Sequence, residues 1–223
     1  MGVTAGRIAE TFYSIQGEGV TSGLPAVFVR LQGCSVGCRW CDTKYSWDPA
    51  EGHEVTLPRL LDEVAGFPCR RVVITGGEPL ESPLFGPLAA ELAQRGHAIE
   101  VETSGTLEPA ADTPGAIQWN VSVKLSGSGV AEQKRINPVA IRAFLARNAW
   151  WKFVVGEPAE IGELLKLVER FALPRERVLL QPEGLRAEEL GERTAWLVEA
   201  CKNHGFRFSP RLHILIWGAR RGV

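Results

Sequence analysis

The sequence has no excess of charge of either sign: Lys and Arg number 25 against 26 Asp and Glu, a formal net charge of −1. That balance supplies no cationic face for a phosphate backbone or an anionic bilayer, so neither nucleic acid nor membrane is expected as a partner. The one basic pair at the tail, Arg220 and Arg221, reads as a solvated end. No apolar run is long enough to cross a bilayer, and the N-terminal MGVTAGRIAETF has no apolar region of the signal-peptide kind. A cytoplasmic protein is expected. No linker composition interrupts the chain, so residues 1–223 read as one domain. The apolar content of 45% and charged content of 23% suit a single globular core. A disulfide framework is excluded by cysteine usage: the five are odd in number and three crowd into residues 34–41. In a reducing compartment such crowding points to metal or redox chemistry.

What the chain does have is alternation. Short runs rich in Val, Ile, Leu and aromatics predict strands over 26–32, 71–75, 98–103, 117–123, 150–155, 177–181 and 211–216. Helical patterns fill the intervals. Thr56 caps a helix with Leu57, Leu60, Leu61 and Val64 on one face, and residues 82–95 form a second. Asn137 caps a third with Pro138 at its first position. Ile161, Leu164, Leu165 and Val168 mark a fourth, and Leu190, Thr194, Leu197, Val198 and Cys201 a fifth. This order predicts an α/β fold with a mainly parallel sheet. Fewer than eight strands implies an incomplete, TIM-like β/α barrel, with a flavodoxin-like sandwich as the alternative. Functional groups are expected at the C-terminal ends of the strands in either case.

Gly33-Cys34-Ser35-Val36-Gly37-Cys38-Arg39-Trp40-Cys41-Asp42-Thr43 follows the first of these strands. Three thiolates in a glycine-containing loop suit an iron–sulfur cubane. Three donors leave one iron open, and an open iron can chelate the amino and carboxylate groups of S-adenosylmethionine (SAM). The alternative is a structural zinc site, which needs a fourth ligand. Asp42 lies too near Cys41 to serve easily, His53 is conceivable, and His97, His204 and His213 are more remote. Cys69 and Cys201 read as buried free thiols.

The C-x3-C-x-aromatic-C spacing, with Trp40 as the aromatic, resembles the radical SAM superfamily, as does Thr75-Gly76-Gly77-Glu78-Pro79 after the next strand. The resemblance implies a [4Fe–4S] cluster on Cys34, Cys38 and Cys41 and a radical SAM type of barrel. Several further segments resemble the 7-carboxy-7-deazaguanine synthase family: Gln16-Gly17-Glu18-Gly19, Arg30 within an apolar strand, Asp42-Thr43, Glu102-Thr103-Ser104-Gly105, Gln181-Pro182 and the late His213. That likeness implies conversion of 6-carboxy-5,6,7,8-tetrahydropterin to 7-carboxy-7-deazaguanine, a carbon–nitrogen lyase reaction of deazapurine and queuosine biosynthesis.

It also implies roles. Ile15, Gln16, Gly17, Glu18, Arg30, Thr75 and His213 would meet the substrate. An arginine fork suits its carboxylate, and Gln16 with Glu18 suits the pterin edge. Trp40, Gly77, Ser104, Ser122, Val123, Lys124, Gln181, Pro182, Glu183 and Gly184 would line SAM. Thr43 would hold Mg²⁺. The implied partners are the small pterin, an external electron donor such as flavodoxin or ferredoxin, and a second copy in a homodimer. No protein acid or base is assigned, and Lys152, among Trp150, Trp151 and Phe153, has no assigned role. Two rivals stand beside this reading: a glycyl-radical activase acting on a partner protein, and a non-catalytic zinc or iron–sulfur module.

Overall fold

The computed structural model describes residues 4–223. Nine strands form one sheet: β1 (Ala5–Ile15), β2 (Pro25–Leu31), β3 (His53–Thr56), β4 (Arg71–Gly76), β5 (Ala98–Thr103), β6 (Gln118–Ser122), β7 (Trp150–Val155), β8 (Val178–Pro182) and β9 (Arg207–Phe208). Their order is β3-β1-β2-β4-β5-β6-β7-β8-β9. From β2 to β9 every pairing is parallel, while β1 runs antiparallel to both β2 and β3. From β2 on, each parallel strand joins beside its predecessor, with no reversal of strand order. That excludes the flavodoxin-like arrangement, whose order turns back at a switch point. Among the described residues β9 does not pair with β3, so the barrel stays open.

The helices are α1 (Leu57–Ala65), α2 (Phe85–Gln94), α3 (Glu132–Arg135), α4 (Pro138–Leu145), α5 (Glu160–Phe171), α6 (Ala187–His204) and α7 (Leu212–Trp217). None of them is long and apolar enough to cross a membrane. Local chemistry explains the clearest starts. The Asn137 side chain accepts from the N–H groups of Val139 and Ala140 at 3.0 and 3.3 Å, capping α4 as expected.

The strands carry two different faces. Val101, Trp119, Val121, Trp151 and Phe153 pack outward against the helices. Trp119 meets Phe144 of α4 edge-on at 5.1 Å. The alternate residues Glu100, Glu102, Asn120, Ser122, Lys152 and Gln181 point the other way, as the two-residue period of a strand requires. The hollow of the barrel is therefore polar, unlike the side-chain-filled centre of a closed barrel.

Several elements differ from expectation. The run 211–216, rich in β-formers, is not a strand: 212–217 form α7. Its Leu212 N–H donates to the Gly17 carbonyl at 2.9 Å, and of its residues only Ile214 is buried. Pairing along the adjacent edge ends at Phe208 of the two-residue β9, and the tertiary setting overrides β propensity. β1 and β3 were not foreseen, and Thr11–Ile15 lie within β1. Its pattern AGRIAETFYSI lacks the solid apolar run of the parallel strands, as suits an antiparallel strand nearer the sheet edge. Of the two spare thiols, Cys201 is buried, and burial pushes its thiol up to about 11. Cys69 is only partly buried; its Sγ donates to the Pro25 carbonyl at 3.3 Å.

Candidate active site

A cavity of about 220 Å³ opens at the C-terminal ends of the strands. One wall is the loop after β2. Gly33 at φ 106° and Gly37 at φ 75° take left-handed backbone that turns this loop on itself. Cys38 packs against Val36 and Val130 in a small apolar cluster of its own, with Cys34, Trp40 and Cys41 beside it. All three thiols reach the cavity. The Cys41 sulfur accepts from the Trp47 indole N–H at 3.3 Å and the Thr43 backbone N–H at 3.4 Å. Burial pushes the Cys34 and Cys38 thiols up; Lys124 pulls Cys38 back. Metal binding at these positions therefore releases protons.

The spacing of the thiols separates the two metal readings. Among the described residues, the one trio of His, Cys, Asp or Glu whose ligand atoms lie within 4.8 Å of one another is Glu18, Asp42 and His213. The three cysteine sulfurs do not all lie within that distance of one another. Tetrahedral zinc with ligands at its usual bond length draws its sulfurs to about 3.8 Å apart. A cubane puts each thiolate on its own corner, and three thiols that do not all crowd together suit that cluster. The second glycine of the GGEP segment lies against the loop. A Cβ on Gly77 would overlap the Gly33 carbonyl and the Cys34 Cβ. Gly77→Ala is therefore expected to lower iron incorporation at least severalfold on reconstitution, and to cost about 1–3 kcal/mol of stability by overpacking. Iron content and thermal melting check it; full iron loading would contradict the close approach.

Glu78 anchors this segment rather than facing the cavity. Its buried carboxylate accepts from Thr103 Oγ1 at 2.7 Å, from the Ser104 N–H and hydroxyl at 2.7 and 2.5 Å, and from the Leu80 N–H. Burial nonetheless raises its carboxyl above the ordinary value. Ser104 reaches the cavity wall with its hydroxyl already bonded to Glu78.

The opposite wall carries charge. Arg30 is held by one bond, Nε to Glu10 Oε1 at 2.8 Å. Its terminal nitrogens make no bond among the described residues, and the residue lines the cavity. Glu10 also accepts from the Tyr45 hydroxyl at 2.6 Å and from Arg221 at 2.9 Å. Glu18 hangs between two cations. One oxygen takes Lys152 Nζ at 2.5 Å and the other takes Arg211 Nε at 3.1 Å. Burial pushes the Glu18 carboxyl up, but Lys152 and Arg211 outweigh it and hold it well below the usual range. Lys152 also pairs with Glu102 at 2.7 Å. The two carboxylates outweigh the burial of its ammonium, raising it above the ordinary lysine value. His213 Nε2 lies 3.8 Å from Glu18, and burial lowers its imidazole, which favours the neutral ring.

Gln16 is placed here, but its side chain is spoken for. Its oxygen accepts from the Glu18 N–H at 3.1 Å, and its nitrogen donates to Glu100 at 2.7 Å and Glu102 at 3.5 Å. Most other expected positions share the cavity, Thr43 and Thr75 among them; Val123, Pro182 and Gly184 do not line it. Val123 is buried in the core, Pro182 ends buried β8, and the Gly184 carbonyl accepts from Arg211. Three participants had no expected role: Arg211, Lys152 and Glu102. An ionisable residue in the middle of an apolar strand, as at Lys152, was the available signal. Arg211 gave none.

Comparison with known proteins agrees with this geometry. The Radical SAM superfamily profile matches residues 28–115. A 7-carboxy-7-deazaguanine synthase of Pyrobaculum aerophilum is 40% identical over 220 residues, covering 97% of this chain and 96% of that one. The Escherichia coli protein of the same name is 35% identical, over 92% of this chain and 96% of its own length. The crystal structure of QueE from Escherichia coli superposes with a TM-score of 0.72 at 31% identity, covering 94% and 95% of the two chains. Streptococcus suis SuiB, at 12% identity and a TM-score of 0.56 over 79% of this chain and 48% of its own, shares the fold alone.

Proposed function

The chain belongs to the 7-carboxy-7-deazaguanine synthase family of radical SAM enzymes, and we propose that its cavity converts 6-carboxy-5,6,7,8-tetrahydropterin to 7-carboxy-7-deazaguanine with loss of ammonia. The observation that carries this reading is a single cavity with three free thiols on one wall and an arginine with unbonded terminal nitrogens on another. When bound, the [4Fe–4S] cluster and SAM supply a 5′-deoxyadenosyl radical able to take a hydrogen atom from the substrate.

The chain's own residues do the placing. Arg30, steadied through Nε by Glu10, turns its remaining fork to the substrate carboxylate. Glu18 stays ionised and accepts from pterin N–H groups. The backbone of Ile15, Gln16 and Gly17 offers further donors and acceptors to the pterin edge, and Thr75 and His213 close its sides. Gly77, packed against Gly33 and Cys34, presents its backbone to the SAM amino group. Lys124, bonded to Ser122 at 2.8 Å and 5.3 Å from the centre of the Trp40 ring, borders the SAM side with Gln181 and Glu183. The Thr43 hydroxyl, 3.5 Å from Cys41 Sγ, provides one oxygen for Mg²⁺. Substrate oxygens and waters would supply the remaining ligands of the ion.

Partners consistent with this reading are a low-potential flavodoxin or ferredoxin and a second copy in a homodimer, in the cytoplasm. The glycyl-radical activase needs no carboxylate-binding pocket, and the cavity favours the small molecule. Anaerobic incubation of reconstituted protein with the carboxytetrahydropterin, SAM, dithionite and Mg²⁺ tests it. Deazaguanine product is expected; an intact cluster that cleaves SAM without forming product would refute the substrate assignment. Arg30→Lys should raise KM for the pterin about 10- to 100-fold, the worth of a hydrogen bond to a charged group. SAM binding should stay unchanged. A change confined to kcat would contradict the role given to Arg30.

A further inference from the structure

We infer that Arg211 is a positioning residue that makes pterin binding and SAM binding cooperative, an inference that rests on the function proposed above. Arg211 is 6% exposed and sits between β9 and α7. Its guanidinium joins three segments distant in sequence. Nε donates to Glu18, in the turn between β1 and β2. Nη2 pairs with Asp42, which lies between the last cluster cysteine and Thr43. Nη1 donates to the carbonyl of Gly184, in the loop after β8. The first contact is at the pterin end of the cavity. The other two are at the cluster and SAM end.

Charge balance at Glu18 does not by itself account for this arrangement: Lys152 also pairs with that carboxylate, and the bond to the Gly184 carbonyl neutralises no charge. Nor is the Glu18–Asp42–His213 trio a vacant cation site, since the guanidinium already joins its two carboxylates. What Arg211 adds is rigidity between loops. A guanidinium is planar with its donors in a fixed fork, so its three bonds cannot adjust independently. When Glu18 shifts to accept a pterin N–H, the fork turns, and the Asp42 and Gly184 loops turn with it. A lysine offers a point charge on a flexible stem and cannot span three such partners. Coupling between two ligands is reciprocal: each must tighten the other by the same factor.

The test uses reconstituted holoenzyme with its cluster oxidised and no reductant, so that both ligands bind without turnover. Equilibrium dialysis under anaerobic conditions gives the Kd of SAM with and without saturating carboxytetrahydropterin, and the reverse titration gives the Kd of the pterin. In the unmodified protein each ligand is expected to tighten the other about tenfold, within the usual range of coupling. In Arg211→Lys the factor should fall to within about twofold of unity in both directions, more than any change in either ligand's separate Kd. Asp42→Asn, which keeps the Arg211–Glu18 bond and weakens the cluster-side arm, should also lose most of the coupling. It answers the question if Arg211→Lys does not fold. Equal coupling in the unmodified protein and in Asp42→Asn, or no coupling in the unmodified protein, overturns the inference alone. An unmodified protein that binds SAM but no pterin overturns the proposed function and this inference with it.

Discussion

Cys38→Ala is expected to give a folded protein that takes up no cluster. Cys38 packs in a small apolar group with Val36 and Val130, apart from the main core of the sheet and helices. Truncating it therefore leaves the barrel standing, and the thermal midpoint should move by only a few degrees. The chemistry is less forgiving. Three thiolates are the minimum that holds a cubane with one open iron, and two cannot keep it. Iron after reconstitution should fall from about four per chain to background, and product formation should fall with it. Cys69→Ser, which alters a thiol bonded only to backbone carbonyls, serves as the control and should retain iron. A full complement of iron and sulfide in Cys38→Ala would mean the cluster hangs elsewhere.

Lys152→Met carries the second large effect, this time on stability. The ammonium sits between Glu18 and Glu102, 6% exposed, and methionine fills its volume without its charge. Removing one partner of a buried ion pair costs about 3–5 kcal/mol, because the other charges stay buried without compensation. For a chain of this size that is a fall in Tm of roughly 6–20 °C. The pH dependence gives the cause away. In the unmodified protein the Glu18 carboxyl is held low in the folded state, so this stability is present above the ordinary carboxylate value of 4.5 and is lost as pH falls through the folded value. In Lys152→Met that support is reduced and burial pushes Glu18 the other way. The gap in Tm between the two proteins should therefore narrow as pH is lowered. A gap that is constant with pH would mean lost packing rather than lost charge.

The sequence was legible where chemistry is local. Cys34, Cys38 and Cys41 lie within one loop, Gly77 within one turn, and Asn137 caps the helix it begins. The parallel strands announced themselves by apolar runs that are buried on their outward side. Ion pairs across the hollow were not legible. Lys152 meets Glu18 across 134 positions and Arg211 meets Asp42 across 169, and no periodicity relates such residues. The partners of the Gln16 amide were not legible for the same reason. Its residue type suits a pterin edge, but Glu100 and Glu102, on a strand far along the chain, take its amide first. The segment 211–216 has the composition of a strand but forms a helix whose first N–H is held by the Gly17 carbonyl, a contact far along the chain that composition does not show.

The strand order has a consequence for how the molecule is made. As the chain leaves the ribosome, β1 and β2 can pair at once, and each later parallel strand needs only the edge already formed by the one before it. No strand has to wait for a distant partner or be inserted between two others. The exception is the guanidinium at position 211. Glu18 and Asp42 are synthesised long before the arginine that joins them, so the two ends of the cavity become one unit only after residue 211 emerges.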